Sequence, residues 1–384
     1  MLDLRSHFTM FREAAPARIH LAAHSHHYWP DAACAAHARV IADAARHADD
    51  KWSVIFGELI PRVQRGIAKI LALPDPATIA FAPNTHDFIM RLFSALPFDR
   101  PARVLTTDSE FHSFTRQLAR LEEDRLIVAE RVATEPSDSF PARFAAAAAR
   151  GHDLVFVSQV FFNSAATAGD LAALVAAVPN HDTLIVIDGY HGFMALPTDF
   201  SRLARRAFYL AGGYKYAMAG EGACFMHCPP GYAPRPRDTG WFAAFGALTA
   251  AQHGVPYGDD GSRFLGATFD PSGLYRLAAV LEWADEIGLT VEAIHAHASA
   301  LAALFLKEIA SVALLQQARL VTPAAPRGHF LTFETDAAEA IYRRLAAANI
   351  VTDVRRNRIR FGFGCYHAAD EIAPAAAAIA RALV

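Results

Sequence analysis

From residue 78 onward the chain alternates short apolar runs with amphipathic stretches. The runs at 78–82, 103–106, 125–129, 154–160, 184–188, 207–211 and 223–227 are nearly continuous in apolar residues and predict strands. Between most of them, 85–96, 113–123, 140–150, 168–178 and 198–206 read as helices. Strands apolar on both faces, separated by helices, predict a mostly parallel seven-stranded sheet covered on both sides. Ahead of it, 31–49 and 54–73 read as alanine-rich amphipathic helices. After a loop-rich stretch at 228–271 the pattern changes. Long helices at 272–287 and 290–310 precede strands at 328–334, 350–355 and 358–363 and helices at 336–347 and 368–383. That second group reads as a smaller α+β unit. The expected class is therefore α/β, divided into an N-terminal segment (1–50), a large domain (51–272) and a small C-terminal domain (273–384).

Composition narrows the partners. The 384 residues carry a formal net charge of −3 with both signs well mixed, which argues against nucleic acid as the main partner. The longest basic cluster, Arg355-Arg356-Asn357-Arg358-Ile359-Arg360, falls in a strand-like segment. Four cysteines form no disulfide or metal-ligand framework, as expected in a reducing cytoplasm. No signal-peptide pattern is seen, and no apolar run reaches the roughly 20 residues of a membrane span, so no membrane partner is expected.

Lysine usage singles out one position. Only Lys51, Lys69, Lys215 and Lys307 are lysines, against 32 arginines. Lys215 lies in a glycine-framed stretch, Gly212-Gly213-Tyr214-Lys215-Tyr216, continuing to Gly220-Glu221-Gly222. Arginine serves most surface roles of lysine but cannot lose its proton and attack a carbonyl. A lysine retained here points to an amine used for Schiff-base chemistry, although a surface lysine in a glycine turn has the same local sequence. Asp188 ends the run 184–188, 27 residues earlier, a spacing that a strand–helix–strand excursion would return to one sheet edge. An aspartate beside a cationic ring nitrogen, with a Schiff-base lysine, is what pyridoxal phosphate requires; the commoner role of such an aspartate is a turn or helix cap.

Other polar residues fall at predicted strand ends. Asn84 and Thr85 run from a strand into a helix start, which suits both an N-cap and a phosphate site. Tyr214 and His191 are further phosphate candidates, or ordinary half-buried aromatics. Phe111 is a candidate to stack on a cofactor ring, or a core residue. Gln159 is a candidate donor to a ring hydroxyl.

With Asp188-Gly189-Tyr190-His191 and Gly213-Tyr214-Lys215-Tyr216, the chain resembles the class V branch of fold-type I pyridoxal-phosphate enzymes, and within it kynureninase. Similar stretches run from Ile19 to Pro30, at Gly240-Trp241-Phe242, from Phe264 to Thr268, from Val351 to Arg355 and from Ile359 to Phe363. The resemblance covers residues 19–383 in order. It implies pyridoxal 5′-phosphate on Lys215, with Asp188 at the ring nitrogen. Thr85, His191 and Tyr214 would then serve the phosphate side, Tyr214 as a relay too, and Phe111 would stack. It implies Arg360 as the clamp for the substrate carboxylate, with His24 and Ser25 also on the substrate side. Trp241 and Thr268 would come from the neighbouring subunit, implying a homodimer with its site at the interface. The large domain would bind the cofactor, and the N-terminal segment would contribute to the small domain and the way into the site.

The departures lie on the substrate side. His24-Ser25 replaces the family's Asn-Ser, His26-His27 its following Leu-Gly, Ala244 a histidine and Phe114 an aspartate, and the region after Trp52 lacks a Tyr-Gly-His. The expected reaction is hydrolytic Cβ–Cγ cleavage of a kynurenine-type amino acid, with class V transamination or another lyase reaction as the alternative. A cysteine desulfurase is disfavoured because no cysteine lies shortly before Arg360. Two remaining readings are a non-catalytic binding protein and a metal-dependent hydrolase built on His20, His24 and His26, with His191 and Asp188 pressed into service.

Overall fold

The computed structural model describes residues 1–97, 99–247 and 254–384. After a two-residue strand β1 (Ile19–His20), the large sheet is built from β2 (Ile79–Ala82), β3 (Ala102–Thr107), β4 (Ile127–Val132), β5 (Leu154–Ser158), β6 (Leu184–Asp188), β7 (Phe208–Ala211) and β8 (Cys224–His227). Its spatial order is β2-β8-β7-β6-β5-β3-β4. Every pairing is parallel except the two made by β8, so the expected mostly parallel seven-stranded sheet is present. Strands β2, β7 and β8 are buried along their whole length, because helices and loops cover both faces. The carboxyl ends of β2, β3, β5, β6 and β7 share one edge.

Strands β9 (Arg319–Leu320), β10 (Phe330–Glu334), β11 (Ile350–Val351), β12 (Asp353–Arg355) and β13 (Arg358–Gly362) belong to the C-terminal part. Four of them form an antiparallel sheet in the order β12-β13-β10-β9, backed by the helices Val291–Glu308, Ala338–Ala347 and Ile372–Leu383. The expected strand 350–355 is divided in two: β11 pairs in parallel with β1, while β12 joins the four-stranded sheet. That split ties the N-terminal segment to the small sheet by backbone hydrogen bonds. One of them runs from Leu21 N to Val351 O.

Two helix expectations need correction. The stretch 198–206 is a series of turns. The Phe200 amide is taken by Leu71 O, and the amides of Leu203 and Arg206 bond three residues back, so no α-helical ladder starts before β7. The return from β6 to β7 therefore has no helix. The stretch 54–73 is helical, but a π-helical segment, Ile55–Leu59, separates the α-helices Lys51–Val54 and Ile60–Leu71. Among the described residues no single helix is long and apolar enough to cross a membrane.

One core contact bears on a departure noted above. Phe114, where the resembling family has an aspartate, is 1% exposed and stacks on Phe156 at 3.8 Å between ring centroids. A carboxylate there would be an unpaired buried charge, so the aromatic residue is a packing choice in this chain. Phe114→Ala is expected to lower unfolding free energy by about 3–5 kcal/mol in urea titrations. A loss under about 1 kcal/mol would mean that the ring stack contributes little.

Candidate active site

The shared strand edge holds a cavity of about 200 Å3. Its walls come from five connections: Asn84, Thr85 and His86 after β2; Phe111 and Ser113 after β3; Ser158, Val160 and Phe162 at and after β5; Asp188, Tyr190 and His191 after β6; Tyr214 and Lys215 after β7. The strand edge thus gathers residues up to 131 positions apart, as open α/β sheets do at their carboxyl ends.

Lys215 is held by its loop. Ala219 N donates to Gly213 O and Met218 N to Lys215 O, closing a compact turn around the lysine. Gly220, at φ +68°, lets the turn press on Trp29; an added Cβ would lie 2.2 Å from that ring. The Lys215 side chain points inward and the residue is 6% exposed. Its Nζ lies 4.8 Å from the ring centre of Tyr190, 5.5 Å from Phe111 and 5.8 Å from Tyr214. Burial drives the amine down to about 7; the Asp188 carboxylate opposes the shift and the Arg360 guanidinium adds to it.

Asp188 ends β6 opposite Ser158 of β5. Its Oδ1 accepts a hydrogen bond from Tyr190 N at 2.9 Å. Burial pushes the carboxyl up, while that bond and Lys215 pull it back. His191 Nε2 stands 3.1 Å from His24 O, and a carbonyl can only accept, so Nε2 carries the proton. His191 Nδ1 is then an acceptor 3.5 Å from Lys215 Nζ. Burial, Lys215 and Arg360 all keep this imidazole neutral.

Asn84 caps the helix Thr85–Ser94 by accepting from Asp87 N at 3.0 Å. Thr85 and His86 of its first turn line the cavity, at the positive end of the helix dipole. Tyr214 packs between His26 (5.2 Å) and Tyr190 (4.9 Å), and burial pushes its phenol up to about 12.

Other expected residues fall elsewhere. Gln159 is turned away from the cavity, contrary to the expected role at a ring hydroxyl. Its Oε1 accepts from Tyr209 and its Nε2 donates to Thr198, each at 2.9 Å. Strand alternation puts Ser158 and Val160 on the cavity side instead. Trp241 and Thr268 do not line this chain's cavity. Trp241 is 43% exposed and its indole donates to Thr268 Oγ1 at 3.2 Å. Arg360 lies behind Phe162: it ion-pairs with Asp353 at 2.8 Å, donates to Phe162 O, and sits 5.9 Å from the Phe162 ring. His24 is fully buried and stacks on Phe330 at 4.7 Å. Ser25 Oγ reaches only His26 Nδ1, at 3.4 Å.

The histidine cluster does not assemble a metal site. His20 is bonded to Tyr366 OH at 2.5 Å, His24 stacks on Phe330, and His26 stacks on Tyr214. Among the described residues no three His, Cys, Asp or Glu side chains converge as ligands.

Several cavity residues escaped the sequence: Ser113, Ser158, Tyr190 and Phe162. A buried acid, Glu110, escaped it too. Glu110 accepts from Ser158 Oγ at 2.5 Å and Thr107 Oγ1 at 2.7 Å, and burial pushes it up to about 7. The strand-end rule would have found Ser158, the last residue of β5; Gln159 beside it has the more conspicuous chemistry.

The folded protein should carry one lysine that is half free base near pH 7, against about 10.4 for an ordinary lysine. A small aldehyde followed by borohydride is expected to modify Lys215 first, with half-maximal labelling near pH 7, read by peptide mapping. Labelling of Lys215 that follows the ordinary lysine curve would contradict its burial beside Arg360.

Comparison with known proteins places this geometry. The Kynureninase C-terminal domain family matches residues 294–379. No curated protein matches the chain. Among solved structures, the cystine C-S lyase C-DES with its product cysteine persulfide has a TM-score of 0.80 at 18% identity, covering 96% of this chain and 98% of that one. A C-DES variant with glycine covalently linked to its PLP cofactor has a TM-score of 0.79 at 19% identity, with 98% of each chain covered. An apo cysteine desulfurase from Thermococcus onnurineus NA1 has a TM-score of 0.79 at 15% identity, covering 99% of this chain and 97% of that one. The chain has the fold of these enzymes, fold type I, over nearly its whole length.

Proposed function

We propose that this chain binds pyridoxal 5′-phosphate at Lys215 and acts on a small amino acid. The most specific form of the reading is hydrolytic cleavage of a kynurenine-type substrate between Cβ and Cγ, giving alanine and an aromatic acid. The observation that carries the proposal is Lys215 itself, a buried amine held near neutrality that shares a cavity of about 200 Å3 with the half-buried Asp188. The residues fit the cofactor. Phe111, Tyr190 and Tyr214 offer ring faces, Asp188 offers an anion, and the start of the helix Thr85–Ser94 offers amides for a phosphate. Pyridoxal phosphate supplies an aldehyde that condenses with amines and a ring that draws electrons from bonds at the substrate Cα.

The chain's own groups have the following tasks. Lys215 Nζ, about half unprotonated near pH 7, can bind an aldehyde carbon and, once released, take a proton from substrate Cα and hold it. Asp188, oriented by the Tyr190 amide at Oδ1, would keep a ring nitrogen protonated through its other oxygen. His191 Nδ1 accepts from Lys215 Nζ and orients it. Tyr214, raised to about 12, stays protonated and can donate to a phosphate or pass a proton. Asn84 and Thr85 hold the phosphate end. Arg360 would take the substrate carboxylate on leaving Asp353 and Phe162 O, with His24 against the same Phe330 ring.

The kynurenine-type version draws support from the match over residues 294–379, which contains Arg360. Desulfuration is disfavoured because no cysteine lies shortly before Arg360. Cys365, just after Arg360, is 1% exposed, lies against Met218 Sδ, and is pushed up to about 12 by burial. Class V transamination or another lyase reaction would use the same residues, and the products decide between them.

Trp241 and Thr268 form an exposed pair outside their own cavity, which supports their delivery to a neighbouring subunit's site in a homodimer. Mixing Lys215→Ala subunits with Trp241→Ala subunits is then expected to restore activity that neither has alone. No restoration in a proven mixed dimer would place both residues in one site.

Loaded enzyme given kynurenine or 3-hydroxykynurenine is expected to change its cofactor absorbance and release alanine. A keto acid in place of alanine would assign transamination, and no spectral change would remove the kynurenine-type substrate. Lys215→Ala is expected to abolish turnover, and Asp188→Asn to lower kcat by about 10²–10⁴-fold. Full turnover by Lys215→Ala would refute the whole proposal.

A further inference from the structure

Glu110 is a buried acid that the proposed reaction leaves unused. It follows β3 and is 2% exposed. Its partners are three neutral donors. Oε1 accepts from Thr107 Oγ1 at 2.7 Å and from Ser158 N at 3.2 Å, and Oε2 accepts from Ser158 Oγ at 2.5 Å. A carboxylate buried without a cation is costly, and burial pushes this carboxyl up to about 7. The hydrogen bonds pull it back and the Asp188 carboxylate pushes it further.

Its place in the fold gives this acid a use. Glu110 lines a cleft of about 870 Å3, bounded by the loops after β3, β4 and β5 on one side and by residues 354–358 of the small sheet on the other. Ser158 lines the Lys215 cavity. The two side chains touch, so one carboxyl–hydroxyl contact spans the wall between the two spaces. On the cavity side Ser158 is the register partner of Asp188 on the adjacent strand, and such partners point to the same face. Asp188 Oδ1 accepts from Tyr190 N, and a carboxylate has about four lone-pair sites, so room remains for a hydroxyl as well as a ring nitrogen.

A serine hydroxyl has one proton and two lone pairs. While Glu110 is ionised, that proton is committed to it, and Ser158 offers the cavity lone pairs only. A proton arriving on Glu110 from the cleft turns the contact round. Glu110 then gives its proton to Ser158 Oγ as Ser158 gives its own to Asp188. One O–H bond forms on the serine as the other breaks, so Ser158 stays neutral, Glu110 is ionised again and Asp188 is protonated. The reverse sequence carries a proton out.

The other charged groups around Glu110 are engaged elsewhere. Asp108 accepts from Thr134 and Ser109, Glu135 pairs with Arg358, Arg355 pairs with Asp353, and His112 packs on the Phe162 ring. Arg356 also lines the cleft, in the turn between β12 and β13. Asp188 is the charge that acts on Glu110 most, and Lys215 is the cation that acts on Asp188.

We propose that Glu110, acting through the Ser158 hydroxyl, is a positioning residue that exchanges protons between the cleft and Asp188. The proposal rests on the reading of Lys215 and Asp188 as a pyridoxal-phosphate site and adds the route by which the aspartate gains and loses its proton.

The loaded enzyme tests it by a rapid pH jump across neutrality, followed in the cofactor absorbance. Glu110→Gln keeps the shape and an acceptor for Ser158 but cannot take up a proton, and Ser158→Ala removes the intermediary. Either variant is expected to relax about 10²-fold more slowly than the wild type. A Glu110 that only anchors the turn after β3 would leave the rate unchanged, and that result in both variants overturns the proposal. Borohydride fixation of the cofactor on Lys215 is scored separately, and its failure removes the pyridoxal-phosphate reading alone. The route is then tested without cofactor in Lys215→Ala, which lacks the other group held near pH 7. NMR of labelled aspartate and glutamate carboxyl carbons is expected to show the Asp188 signal moving through the midpoint of Glu110. Adding Ser158→Ala is expected to remove that movement. An Asp188 signal indifferent to Glu110, or one that follows it equally without the Ser158 hydroxyl, overturns the route.

Discussion

A lysine amine kept out of water is the constraint on which the rest of this structure turns. Lys215 is almost fully buried, and burial disfavours the ammonium strongly enough to hold the amine near pH 7. Left alone, a lysine so placed would be a plain cost to folding. Its surroundings make it chemically usable. Asp188 keeps the proton within reach, His191 Nδ1 orients Nζ, and three aromatic rings exclude solvent without adding charge. The balance is between an anion on one side and Arg360 on the other. Replacing either charge would move the amine away from neutrality in a predictable direction.

The sheet makes that arrangement possible. Parallel strands put the carboxyl ends of β2, β3, β5, β6 and β7 on one edge, so residues far apart in sequence share one cavity. The antiparallel strand β8 sits between β2 and β7, leaving that edge intact. The small sheet contributes from the other side. The row Asp353–Arg360–Thr332 crosses three of its strands, and the parallel pair β1–β11 ties it to the segment that carries His24. His24 O in turn accepts from His191. A continuous set of hydrogen bonds and ring contacts thus joins the lysine, the N-terminal segment and the Arg360 row.

Much of this was legible in the chain. The alternation of continuous apolar runs with helical spacing determines a parallel α/β sheet, because strands buried on both faces have no polar side to show. The strand ends located Asp188, Asn84, Thr85, Phe111 and Lys215, all of which line one cavity. The scarcity of lysine marked Lys215. Where the reading failed, the reason was orientation. Gln159 and Ser158 are adjacent and both polar, and only the pleat of β5 decides which faces the cavity. The helix expected at 198–206 has suitable residues, but the Phe200 amide is claimed by Leu71 O, a contact that exists only in the folded chain.

The sequence by itself determined the fold class and marked Lys215 as the candidate amine, because periodicity and the choice of lysine over arginine are local properties. Only the tertiary structure decided which polar groups meet. The pairing of Arg360 with Asp353, the unpartnered Tyr216, Thr332 and His24, and the placement of Trp241 with Thr268 away from their own cavity all depend on packing between distant segments. Lys215 is identified by its sequence, but its near-neutral amine comes from burial, and burial belongs to the fold.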